Sequence, residues 1–243
     1  MKKIFIASLL TLTIVTTSAQ DFRIGLKGIF NSTWLFNNNI SDRGADADYL
    51  ASFGYTSGIT SALYFTENLG VSVDLFYAWH YQLLDGILST EDAYTSVTLV
   101  KYLDVPVLFR VSSEGGPYIE IGPQVSFLAG AEEIYEFSSS TGPGSSLTKN
   151  FKDDFNSLTL AAVLGFGYDI EASDKILINV GLRFGFGLSD ATKEYTEEQF
   201  DDADHGRISR YAHQSPITNG YEYHKTTRAF GGLSVGVIYR PNN

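Results

Sequence analysis

Five ionisable residues stand out because each lies among small or apolar neighbours: Lys27, Asp74, Asp104, Glu120 and Arg183. Carboxylates held close together can share protons and do acid–base work, provided a pocket admits a substrate. Carboxylates and cations forced into one narrow interior do something plainer. They must pair, because an unpaired buried charge is strongly destabilising. Which chemistry applies depends on the elements that carry the five residues.

Those elements read as strands. Period-two alternation marks segments at 22–32, 51–65, 69–82, 97–111, 117–131, 155–170, 175–188 and 226–240. In the third, Leu69, Val71, Val73, Leu75, Tyr77, Trp79 and Tyr81 alternate with Gly70, Ser72, Asp74, Ala78, His80 and Gln82. The gaps between segments run 18, 3, 14, 5, 23, 4 and 37 residues, alternately long and short. That rhythm predicts an all-β, eight-stranded antiparallel up-and-down transmembrane β-barrel, with long extracellular loops and short periplasmic turns. Each segment is long enough for the roughly 9–11 residues a tilted spanning strand needs. The expected location is the cell outer membrane.

The face chemistry supports a bulky apolar exterior and a small-residue interior. Of twelve charged residues in the segments, eleven fall on the Gly/Ser/Thr-rich face and Lys101 is the exception. A charge facing lipid at mid-depth costs a few kcal/mol, so Lys101 is expected to snorkel or to sit beside a bulge. Aromatic residues gather near both segment ends, Phe22, Phe109 and Tyr239 at one, Phe30, Trp79 and Phe186 at the other. They read as interfacial girdles, although aromatics also favour strands in general. Pro106 has no N–H for the ladder and predicts a local distortion of the fourth strand.

Aligned by depth, Asp74, Asp104 and Glu120 come from three consecutive strands, and Lys27 and Arg183 from the far wall. The five are expected to meet as a barrel-interior ion network. Eight strands leave an interior that side chains fill, so a packed structural role outweighs catalysis and a wide pore is excluded. His80, near the outer rim among Ser and Thr residues, raises an alternative, an outer-membrane lipid-modifying hydrolase. No third orienting group stands at a suitable position. Nucleophile elbows, phosphate loops and zinc spacings are absent from the sequence, so no catalytic residue, cofactor or metal is assigned. There is no Cys, which removes disulfides and thiol chemistry. A second alternative, a soluble lipocalin-like carrier of an apolar ligand, requires the apolar face to line a cavity.

Met1 to Ala19 reads as a signal peptide: Lys2 and Lys3, the apolar stretch Ile4–Val15, then Thr17, Ser18 and Ala19 at the cleavage site. Residues 20–243 then form a single barrel domain. The formal net charge is −11, which argues against nucleic acid as a partner. The acidity belongs to the four long loops at 33–50, 83–96, 132–154 and 189–225. Outer-membrane lipid is one expected partner, and a protein or cationic partner at the acidic loops another. The barrel is expected to be a monomer. The 132–154 loop reads as flexible linker around Ser138–Ser140 and Gly142–Ser146. The first half of 189–225 could form a short helix, but a loop of this length is expected to be solvated and mobile.

Three segments carry a resemblance. They are Thr17–Gln20 with the opening Phe22–Gly28, then Lys101–Tyr102–Leu103–Asp104–Val105–Pro106–Val107, then Gly115–Gly116–Pro117–Tyr118–Ile119–Glu120–Ile121–Gly122–Pro123. The chain resembles the PorT-like outer-membrane β-barrel proteins common in Bacteroidota, whose strands carry "YLEIPLLL" and "P-Y-x-x-x-G" patterns. The resemblance implies the same fold and location. The namesake's link to protein secretion and gliding machinery is not carried by any residue here, and no catalytic residue transfers.

Overall fold

In a computed structural model, the structure describes residues 21–87, 93–139, 142–201, 204–218 and 220–241; side chains at 136–146 are outside this description. The expected signal peptide lies outside the described residues. Eight antiparallel strands close a ring: β1 (Asp21–Phe36), β3 (Phe53–Tyr64), β4 (Leu69–Ile87), β5 (Ala93–Ser112), β6 (Pro117–Ser139), β8 (Leu158–Ser173), β9 (Ile176–Gly187) and β10 (Thr227–Tyr239). β10 returns to β1 and completes the circuit. Two further strands lie off the ring. β2 (Asp48–Leu50) pairs with the upper end of β4, and β7 (Gly142–Asn150) with that of β6. The fold is an all-β up-and-down barrel.

Alternation decides the faces. Leu26, Phe30, Leu75, Ile119, Ile121, Phe186 and Leu233 are exposed on the outside. The residues between them point in. Leu75 and Leu233 therefore line no cavity, contrary to what a soluble carrier of an apolar ligand requires. Small residues inside allow large ones opposite. A Cβ at Gly185 would stand 2.1 Å from the Phe230 ring, and one at Gly165 would stand 2.7 Å from Glu120.

Several strands outrun the expected segments on the long-loop side. β4 and β5 stay paired as far as Ile87↔Ala93. The 132–154 segment is not a loose linker: β6 continues to Ser139, and β7 folds back on it from Ser139↔Gly142 to Glu132↔Asn150. Backbone pairing needs no apolar side chains, so a Gly/Ser-rich sequence extends the sheet. The distortion near Pro106 is present. The β4–β5 ladder skips from Val73↔Val107 to Phe76↔Asp104 where proline supplies no N–H.

Closure yields a direct expectation. Purified, unboiled protein should run at a different gel mobility from boiled protein, because the sealed ring resists detergent. Identical mobility would show that the β1–β10 seam does not hold.

Candidate functional site

The barrel interior is filled by three tiers of paired charge. Nearest the short turns, Arg110 meets Asp169 at 2.7 Å, and Arg23 joins the same carboxylate at 3.4 Å. Asn179 Nδ2 donates to the other Asp169 oxygen at 2.6 Å. Arg110 stacks over Tyr118 at 3.6 Å, and Arg23 over Tyr64 at 4.1 Å. In the middle tier, the Arg183 guanidinium bridges Asp74 at 2.7 Å and Glu120 at 2.5 Å. Thr60 Oγ1 donates to the free Asp74 oxygen at 2.5 Å. Lys27 is buried beside them, within electrostatic range of Arg183, Glu120 and Asp74.

Four of the five expected network residues thus share one tier, and Asp104 does not. It lies one tier further out, held by Arg228 through two contacts of 2.7 and 3.2 Å. Arg228 also donates to Ser126 at 3.0 Å and stacks on Tyr102 at 4.1 Å. The error has a physical source: depth along a strand is an axial coordinate only when strand tilt is known. His80 is in this tier too. It is buried, not at a wet rim, and its ring nitrogens lie 3.2 Å from the Arg228 guanidinium. Its rings neighbours are Tyr102 and Phe230. Among the described residues no Ser or Thr hydroxyl hydrogen-bonds His80, whose ring nitrogens face Arg228 instead.

Above the tiers, the expected mobile loop at 189–225 is a folded cap. It contains α2 (Glu197–Asp201), which matches the expected short helix, and α3 (Arg207–Ala212). Ile208 and Tyr211 of α3 drop into the mouth and pack with Leu84, Val100, Tyr102 and Phe155. Two buried carboxylates fix the start of α3. Asp154 accepts from Gly206 N at 2.7 Å, and Glu133 accepts from Arg207 N at 2.7 Å. Glu133 also accepts from the Ser96 hydroxyl, and Asp154 lies 2.6 Å from His205 Nδ1. Both acids looked like ordinary loop charges; nothing in their spacing marks them as anchors.

The first long loop clamps the last. α1 (Asn38–Ser41) is capped by the Asn37 side chain, which accepts from Asn39 N at 2.9 Å. Asn37 Nδ2 donates to His224 O at 2.6 Å, and Asn39 Nδ2 donates to Glu222 O at 2.8 Å. His213, fully buried, bonds Ser209 O through Nδ1 at 2.7 Å and accepts from Tyr195 N through Nε2 at 3.1 Å. Phe200, Tyr195 and Tyr223 rings surround it. The exposed face of the cap remains acidic, with Glu194, Glu197, Glu198 and Asp201 outward.

A profile of the outer membrane protein beta-barrel domain family matches residues 18–193. The chain belongs to this family. It is accordingly an outer-membrane barrel, with strands crossing the bilayer. Among solved structures, Neisserial surface protein A is similar over 92% of this chain and 99% of its own, at 12% identity and TM-score 0.40. OprG from Pseudomonas aeruginosa is similar over 91% and 96%, at 14% identity and TM-score 0.38. Ail of Yersinia pestis is similar over 90% and 97%, at 10% identity and TM-score 0.34. No curated protein matches the sequence. No helix among the described residues is long and apolar enough to cross a membrane, and the family crosses with strands instead.

Two outcomes test the tiers and the cap. Arg183→Met leaves Asp74 and Glu120 without their guanidinium and should destabilise the barrel by about 3–5 kcal/mol in urea. Adding Asp74→Leu, Glu120→Leu and Lys27→Met together, so that no charge of the tier is left alone, should recover most of that loss. For the cap, burial lowers the His213 pKa from its ordinary value. The folded cap therefore favours neutral imidazole, with full stability above about 6.5. Stability falls as pH drops through the lowered value. Protection factors at 206–215, corrected for the intrinsic pH dependence of exchange, should fall at pH 5 relative to pH 7.5 while those of barrel amides stay unchanged, and His213→Gln should remove the difference.

Proposed function

We propose that this outer-membrane barrel is a closed scaffold that presents its folded extracellular cap to a binding partner. One observation carries the reading. The longest connection, residues 189–225, is held over the mouth by hydrogen bonds from three other segments, through Asn37, Glu133 and Asp154. A connector needs no such anchoring, whereas a binding surface gains from pre-organisation. The packed ion tiers favour scaffolding over conduction. No catalytic step, cofactor or metal belongs to this reading, and the barrel acts as a monomer.

The partner chemistry follows from the cap's outer face. Its carboxylates suit a protein or other ligand of positive charge, which they would steer electrostatically. The motif residues Lys101–Val107 and Gly115–Pro123 favour a place within the PorT-like branch of the family.

Two measurements test the reading. In planar bilayers the protein should show no steady single-channel conductance. In a detergent micelle it should bind polylysine with an affinity that falls as salt rises. The combined substitution Glu194→Gln, Glu197→Gln, Glu198→Gln and Asp201→Asn should weaken that binding about tenfold or more. Unchanged binding would remove the acidic face from consideration.

A further inference from the structure

The chain has eight arginines. Six of them have a carboxylate within 3.4 Å: Arg23, Arg110, Arg183, Arg210, Arg228 and Arg240. Arg43 and Arg207 form no such ion pair among the described residues, although the chain is acidic overall. The two exceptions share one ring. The Arg43 guanidinium carbon lies 4.1 Å from the Tyr211 centroid. That of Arg207 lies 5.9 Å from the same centroid, and its Nη1 donates to Tyr211 Oη at 3.0 Å. Arg207 also stacks over Tyr94 at 3.7 Å.

Both arginines are half-buried, so part of each remains open to solvent. Their Nε atoms face inward and have no hydrogen-bond partner. Arg43 has one further contact, Nη2 to Gln214 O at 2.9 Å. Aromatic rings offset part of the lost hydration, but they do not neutralise charge. Two guanidiniums around one ring also repel each other. Two carboxylates act on them without direct contact, Asp46 on Arg43 and Glu133 on Arg207, and Glu133 gives its oxygens to Arg207 N, Ser96 and Tyr135 and not to either guanidinium. Neither guanidinium forms a direct ion pair among the described residues, so an oxyanion from outside the chain would complete them. A guanidinium fork matches tetrahedral and planar oxyanions through paired N–H donors. Both guanidinium carbons fall within 5.9 Å of one ring centroid, so the two forks flank the same side chain.

We propose that Arg43 and Arg207, with Tyr211 between them, form an extracellular site for a phosphate or sulfate group carried by a molecule outside the cell. The site is independent of the acidic face and of any cationic partner there. Its position on the first and last long loops has a second effect: an anion bound across Arg43 and Arg207 ties the α1 segment to α3. Binding should therefore stiffen the cap as well as fill the site.

The test uses the full-length protein folded in a zwitterionic detergent. Inorganic phosphate, inorganic sulfate and chloride are compared at matched ionic strength, reading thermal unfolding of the cap and hydrogen exchange at 206–215. Saturable stabilisation by phosphate and sulfate over chloride is expected, weakened about tenfold in Arg43→Gln and in Arg207→Gln. Arg43→Lys should retain charge but lose most of the preference, since an ammonium lacks the fork. Each variant is checked for the heat-dependent gel shift. Should Arg207→Gln not fold, Arg43→Gln, at the loop that does not begin α3, carries the comparison. A second arm replaces free anion with vesicles containing lipid A, with and without its phosphates. Arg43-dependent protection by the phosphorylated form alone would assign the source to the membrane; protection by free anion would assign a soluble or partner-borne group. An equal response to all three anions in the wild-type protein, with no effect of lipid A phosphates, would overturn the site.

Discussion

β1 hydrogen-bonds to β10 from Ile24↔Tyr239 to Phe36↔Thr227, and this seam makes the chain compatible with lipid. A bilayer core offers no partner for a free N–H or C=O, so a sheet can enter only as a closed ring. Closure with eight strands then fixes the width of the interior. Width in turn dictates composition. Phe230 lies over its ladder neighbour Gly185 on the adjacent strand, and Glu120 over its neighbour Gly165. The small-residue face is therefore a consequence of the seam rather than a separate feature.

The same narrowness disciplines the charges. Arg183 cannot find water in the lumen, so it takes two carboxylates, and Asp74 takes Thr60 for its second oxygen. Arg228 takes both oxygens of Asp104 and lays its flat face on Tyr102. Each tier is locally balanced. A buried pair contributes little net stability against an apolar alternative, but losing one member is costly. The tiers thus oppose slippage of strands past one another more than they hold the barrel together.

Strand order, face assignment and the Asp74–Glu120–Arg183 cluster were legible in the residues, because period two and charge pairing are local signals. Asp104 was misplaced because its tier depends on strand tilt, which no single strand reports. Arg228 was overlooked for the same reason: it stands at the start of β10, next to a loop, and gives no sign of reaching Asp104 across the lumen. The cap was the larger omission. Ile208 and Tyr211 appear in sequence as two apolar residues in a polar stretch, and only the empty mouth beneath them makes them a plug. Long-range anchors such as Asn37 to His224, far apart in the chain, leave no periodic trace.

One irregularity links the wall to the cap. β6 pairs Gly130 with Lys101 but Leu128 with Tyr102, so Ala129 is an extra residue in the ladder. A bulge of this kind reverses which side chains face inward beyond it. Before it, Glu120, Gln124 and Ser126 point into the lumen; after it, Ala131 and Glu133 do. The reversal turns Glu132 outward, where it meets Lys101 at 2.7 Å and neutralises the one strand cation on the apolar face. It turns Glu133 inward, where it receives the first amide of α3. Were Ala129 threaded into a regular ladder instead of bulged, the two adjacent glutamates would exchange roles. Lys101 would then face the outside alone, and the cap would lose an anchor. A single inserted residue therefore reconciles a lipid-facing wall with a polar lid built on the same strand.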